Sequence, residues 1–99
     1  NMAAHLKIEW SELAVLQLDN FYNYLLVEWS LVEAEQFLDR VQEFELVVSL
    51  FPRAFIASKR HKSCRIGLIH KNISAVYGIY KGKIIVFSLV DNRSSHIER

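Results

Sequence analysis

The sequence predicts an α+β fold, β-α-α-β-β-β in order, with a helical hairpin packed on one face of a mainly antiparallel sheet. Three observations carry this expectation. From Glu12 to Pro52 the apolar residues recur at helical spacing. From Cys64 to Val90 Val, Ile, Tyr and Phe dominate, and the helical spacing stops. Helices thus form one block and strands mostly another, which separates α+β from alternating α/β architectures.

The elements follow in turn. Leu6–Trp10 reads as a short strand, because Leu6, Ile8 and Trp10 alternate with Lys7 and Glu9. Ser11 offers a helix N-cap, and Glu12 suits the positive end of the helix dipole. Ala14, Leu18, Phe21 and Leu25 form the stripe of a first helix running to about Glu28, and Leu13, Leu16, Tyr24 and Trp29 widen it. A helix this apolar is expected to bury most of its surface. Ser30-Leu31-Val32-Glu33 is a capping box. In it the Ser30 hydroxyl accepts the N–H of residue 33, and the Glu33 carboxylate reaches back to the N–H of residue 30.

The second helix directs Ala34, Phe37, Leu38, Val41, Phe44 and Val48 inward and Glu33, Glu35, Asp39, Glu43 and Glu45 outward. Pro52 ends it, because the residue before a proline is pushed out of helical geometry. Ala54–Ser58 is either a short extra strand or an irregular arm. Cys64–His70, Ile73–Tyr80 and Lys83–Val90 are strands, joined by the turn pairs Lys71-Asn72 and Lys81-Gly82. Alternation puts Arg65, Gly67 and Ile69 on one face and Cys64, Ile66, Leu68 and His70 on the other. One sheet face stays partly open, with basic residues crowded into these strands and turns. Asp91–Ser95 reads as a polar loop.

With 99 residues, a single domain over 1–99 is expected, its core at about 6–93. The 52% hydrophobic fraction excludes intrinsic disorder. No apolar run approaches the roughly 18 residues of a membrane span. The lone Cys64 excludes an intramolecular disulfide framework, and no secretory signal is visible, so a cytoplasmic protein is expected. Charge is divided along the chain. Residues 1–50 carry nine acids against two bases, and residues 51–99 carry ten bases against two acids. The basic half suggests an anionic partner; mutual neutralisation of the two halves within the fold is the plainer alternative.

These residues resemble the RelE/ParE toxins of bacterial type II toxin–antitoxin (plasmid stabilisation) systems, and the ParE branch more than the other. Ile8-Glu9-Trp10-Ser11 with Ala14, Leu18, Phe21 and Tyr24 is similar to that family's first strand and helix. Ala34, Phe37, Leu38 and Val41 continue the pattern to Pro52. Cys64-Arg65-Ile66, Val76-Tyr77-Gly78-Ile79-Tyr80, Ile84–Val90 and Arg93 resemble its strand block. The resemblance implies a toxin neutralised by a cognate antitoxin, in a homodimer or a toxin–antitoxin hetero-oligomer. In the ParE branch the toxin inhibits DNA gyrase by binding and does no chemistry. In the RelE branch it is an endoribonuclease acting on mRNA at the ribosome. Gly67 and Ser74 stand where a ribonuclease would place further bases, and no tyrosine follows Arg93. Arg53-Ala54-Phe55 also departs from the family, which often has a glycine shortly after the Pro52 position. A binding domain on the same fold that has lost toxicity is a third reading.

The candidate target- or antitoxin-binding residues are Arg65, Arg93, Tyr77, Tyr80, Arg60 and Lys62. Arg65 carries a rigid fork of donors suited to an anion, or else a structural ion pair. Lys59-Arg60-His61-Lys62 is a basic run able to contact phosphate, or a solvated loop. Tyr77 and Tyr80 lie three apart on one strand, so one of them faces the open side. For the nuclease reading, the candidate catalytic set is Arg65, His70, Arg93 and His96, as cations and proton carriers. His61-x-x-Cys64 lacks a second ligand pair, so no metal site and no cofactor are expected.

Overall fold

The computed structural model describes residues 5–93. In chain order they form β1 (Ile8–Trp10), α1 (Glu12–Glu28), α2 (Leu31–Leu50), β2 (Ile56–Ala57), β3 (Cys64–His70), β4 (Ile73–Tyr80) and β5 (Lys83–Asp91). Ser11 closes β1 and opens α1 with one side chain. Its hydroxyl accepts the Ala14 N–H at 3.0 Å and donates to the Phe87 carbonyl at 2.7 Å. Its own N–H donates to Val86 O at 2.9 Å, so the helix cap is also the tie to β5.

The five strands lie in the order β1-β5-β4-β3-β2. Only β1 and β5 run parallel; every other neighbouring pair is antiparallel. The Lys81-Gly82 turn has positive φ at both residues, 52° and 78°, as a two-residue hairpin requires. The arm after Pro52 does contain a short strand, β2, which pairs Ile56 with Ile66 and Ala57 with Arg65.

Both helices pack on one sheet face. Ala14 and Leu25 of α1, and Ala34, Phe37, Val41, Phe44 and Val48 of α2, meet Ile69, Ile73, Ala75, Tyr77, Ile84, Val86 and Leu89 of the sheet. Three aromatic rings knit the end of α2 to the sheet: Phe44 lies 5.6 Å from Phe55 and 5.7 Å from Tyr77, centroid to centroid. Trp10 donates its indole N–H to the Glu45 carboxylate at 2.7 Å, pinning β1 beneath α2.

Several local expectations are corrected. Helix α1 does not bury most of its surface: Leu13, Leu16, Tyr24, Val27 and Trp29 are exposed, because α2 and the sheet cover only the Ala14–Leu25 side. Leu38 likewise faces outward, beside the buried Phe37. Half of the capping box forms. Ser30 Oγ accepts the Glu33 N–H at 3.1 Å, but the Ser30 N–H donates to Leu25 O at 3.0 Å. The Glu33 carboxylate turns instead to His70 and Lys71. His70 itself does not share a face with Leu68. A register shift between them turns both Ile69 and His70 into the interior. Finally, the open sheet face is apolar rather than basic; the cations sit at turns and strand ends.

Candidate functional site

The sequence-predicted residues divide between two ends of the sheet. At one end, β3 places Arg65 opposite Tyr77 on the helix-bearing face. Arg65 is half-buried, and its Nη1 donates to the Phe55 carbonyl at 2.7 Å. The pairing of β2 with β3 holds that carbonyl in place. Arg65 lines a pocket of about 250 Å³ with Arg53, Ser58, Ser63, Cys64 and Gly78. The loop beyond is organised by Ser58, whose hydroxyl accepts the N–H groups of Arg60 at 3.2 Å and His61 at 2.9 Å. Ser63 closes the loop at φ 65°. Lys59, Arg60, His61 and Lys62 all stand exposed on it. Arg53, Arg60, Lys62 and Arg65 therefore form a cationic end whose only rigid member is Arg65.

Tyr77 forms part of the wall of this same pocket, from the interior side. It is fully buried, and its hydroxyl donates to the Pro52 carbonyl at 2.7 Å. Burial pushes its phenol above the ordinary value, while the Arg65 charge beside it works the other way. Tyr80, on the opposite face, is the exposed member of the pair, with Lys81 Nζ 5.4 Å from its ring centroid. Alternation allowed only one of them to face out; the depth of the aromatic cluster around Phe44 decided which.

At the other end, a groove of about 660 Å³ runs between α1, the α1–α2 junction and the ends of β3 and β5. Tyr24, Trp29, Glu33, His70, Lys71 and Arg93 line it. The Glu33 carboxylate lies 3.3 Å from His70 Nε2 and 2.9 Å from Lys71 Nζ. Lys71 holds that carboxyl below its ordinary range, against the effect of burial, with His70 adding to the lowering. Lys71 also stands 5.4 Å from the Trp29 ring centroid. Arg93 grips Asp91 with two bonds, Nε at 3.2 Å and Nη2 at 3.0 Å. Each shifts the other's proton affinity, Asp91 downward and Arg93 upward, chiefly through these bonds.

The nuclease candidates are thus divided: His70 and Arg93 line one groove and Arg65 lines another pocket. Arg65 and His70 stand at opposite ends of β3, roughly 16 Å apart at the strand rise. His70 is 7% exposed, and its Nε2 lies against the Glu33 carboxylate at the wall of the groove. Arg93 is answered by Asp91, and His96 lies outside the described residues. The corner formed by Glu33, Lys71 and Trp29 was missed in the sequence. Its signal was Trp29, an aromatic directly before the Ser30 cap, which the sequence pattern assigns to the stripe of the first helix and which the structure places at that helix's C-cap. Among the described residues, no group of three or more His, Cys, Asp or Glu side chains is placed to hold a metal ion. No helix among them is long and apolar enough to cross a membrane.

No family model matches the sequence, and no curated protein matches it. The structure does resemble a solved one, described as the chromosomal ParDE TA system from P. aeruginosa. The likeness has a TM-score of 0.74, with 13% sequence identity, and covers 88% of this chain and 96% of that chain. At this identity the likeness is one of fold: the chain has the α+β fold that its order of helices and strands led us to expect, of the RelE/ParE-like form that its family resemblance implied.

Proposed function

We propose that this protein is the toxin of a type II toxin–antitoxin pair, a cytoplasmic binding module of the ParE kind that inhibits DNA gyrase. The observation that carries this reading is the separation of the cationic candidates. Ribonuclease chemistry needs a base, an acid and charge-stabilising cations within reach of one phosphate. Here Arg65 and His70 are at opposite ends of a strand, and the place of a second strand base, at Gly67, is filled by the Phe55 ring. A binding protein has no such requirement. The fold likeness to a chain of a ParDE system supports the same reading.

The cognate antitoxin would meet this surface in two ways. Exposed apolar residues of the hairpin, Leu13 and Leu16 on α1 and Leu46 and Val47 on α2, suit an amphipathic helix. The cationic end around Arg60 and Lys62 suits an acidic segment.

The test is supercoiling by bacterial gyrase from the native host, titrated with the protein. An Arg60→Ala, Lys62→Ala variant serves as the control, since both side chains are exposed and free of structural duty. We expect inhibition by the parent, weakened in the variant at unchanged melting temperature. Intact gyrase activity, together with cleavage of translated mRNA on ribosomes, would move the reading to the RelE branch. The sharing of one groove by His70, Lys71 and Arg93 is the feature that favours that alternative.

A further inference from the structure

The positive charge of the second half of the chain is not spread evenly. From position 46 to position 90 there are eight bases and no acid. Lys71 and Lys83 are answered by Glu33 and Glu9, and Lys81 stands beside the Tyr80 ring. The other five, Arg53, Lys59, Arg60, Lys62 and Arg65, fall within 13 consecutive positions. Among the described residues no carboxylate pairs with any of them.

The fold gathers these five charges around one pocket, of about 250 Å³. Arg53 and Arg65 line it, and so do Ser58 and Ser63, the two ends of the loop that carries the other three. That loop is held without help from a ligand: Ser58 N–H donates to Cys64 O at 2.8 Å, and Ser58 Oγ accepts from Arg60 and His61. Arg65 is half-buried, yet its one hydrogen bond goes from Nη1 to a neutral carbonyl, Phe55 O. Its Nε and Nη2 groups keep their donors. A partly buried cation without a counter-ion carries an unrecovered cost of desolvation, which an anion in the pocket would offset.

Size and donor set say which anion. The volume falls below the roughly 300–1,000 Å³ of pockets that take drug-sized ligands, so the occupant is small. A planar carboxylate would be satisfied by the Arg65 fork alone. Arg53 and the Ser63 hydroxyl come from other segments of the wall and call for further acceptor oxygens, which a tetrahedral oxyanion has.

We propose that this pocket is a phosphate site: the Arg65 fork grips two oxygens of a phosphate group, Arg53 and Ser63 take the others, and Lys59, Arg60 and Lys62 draw it in. Gly67 and Ser74, where the family resemblance would put ribonuclease bases, take no part. The site is the same whatever the protein inhibits.

The experiment is a titration of the isotopically labelled protein with inorganic phosphate, followed by amide NMR. Sodium chloride at matched ionic strength and sodium acetate are the controls. Saturating shifts are expected at Ser58, Ser63, Cys64 and Arg65, with half-saturation at about 1 mM and acetate at least about tenfold weaker. Arg53→Gln, at an exposed position, and Arg65→Lys, which keeps the charge but loses the fork, should each weaken binding about tenfold. Ser63→Gly, which suits the φ of 65° there, should weaken it about threefold. Lys81→Gln should leave it unchanged. Methyl phosphate distinguishes the sources: binding as tight as that of phosphate marks a phosphomonoester, failure to bind marks the free ion, and the phosphate site stands in both cases. Shifts that do not saturate, or that chloride reproduces, overturn the proposal. So does acetate binding as tightly as phosphate, or binding that both arginine variants retain in full.

Discussion

The Phe55 ring stands in the space that a side chain at position 67 would need: a Cβ built on Gly67 would meet Phe55 Cγ and Cδ1 at 2.7 Å. The ring belongs to the aromatic cluster with Phe44 and Tyr77, and the same residue's carbonyl accepts from Arg65. Gly67→Ala should therefore push the 53–57 arm away and cost about 1–3 kcal/mol, as overpacking does. For a domain this size that lowers the melting temperature by about 4–8 °C per kcal/mol, readable by circular dichroism. A variant as stable as the parent would show that the arm yields freely.

Arg65 and Arg93 should respond differently to truncation. Arg65→Ala leaves the half-buried Phe55 carbonyl without its charged donor, an expected loss of about 1–2 kcal/mol. Arg93→Ala breaks an exposed pair and should stay within about 0.5 kcal/mol. Denaturant unfolding of the two variants checks the contrast.

Removing the Tyr77 hydroxyl tests how firmly the Pro52 bend is held. Tyr77→Phe keeps the ring in its fully buried site and removes the 2.7 Å bond to Pro52 O. The expected cost is about 1 kcal/mol, the net worth of one such bond. Amide hydrogen exchange should show faster opening of residues 53–57, with β4 unchanged. Unaltered exchange in the arm would mean that aromatic packing alone positions it.

Acid should release the α1–α2 junction from the sheet. The Glu33 carboxyl is held below its ordinary 4.5, mainly by Lys71. A carboxyl with a folded pKa below the unfolded one contributes stability that is complete above the unfolded value and is lost as pH falls through the folded value. Glu9 with Lys83, and Asp91 with Arg93, act in the same direction. Thermal melts between about pH 3 and pH 6 should show the parent losing stability on acidification more steeply than Glu33→Gln. Parallel curves for the two proteins would remove Glu33 from the account.

Elements whose cause is local were readable in advance. The Ser11 and Ser30 caps, the bounds of α1, the stop at Pro52 and both hairpin turns each depend on a few adjacent residues. What was not readable depends on one misplaced residue or on distant partners. The register shift before His70 changes strand parity, which moves an imidazole from one face to the other, and no composition signal marks it. The Glu33 carboxylate had a satisfactory local use in the capping box and lost it to His70 and Lys71, 37 and 38 positions on. The basic half of the chain was visible, but its dispersal over turns rather than the open sheet face was not. Lysine and arginine leave the strand interiors to Ile, Val and Phe, and only the register shows which face those occupy. Of the binding candidates, Arg60, Lys62, Arg93 and Tyr80 are exposed, Arg65 is half-buried and Tyr77 is wholly interior.

The pairing of β1 with β5 also sets a timetable. Ser11 and Phe87 meet across 76 residues, and Ile8 waits for Ile84 in the same ladder. At ordinary rates of synthesis that interval is roughly 4–15 s, and for about the last half of it the finished hairpin, which ends at Leu50, exists without the complete sheet that covers it. Contacts so distant in sequence also close slowly after the chain is complete. The nascent protein therefore passes through a stage in which Phe37, Phe44 and Val48 are bare, and its yield in a cell will depend on what shields that helix until the last strand arrives.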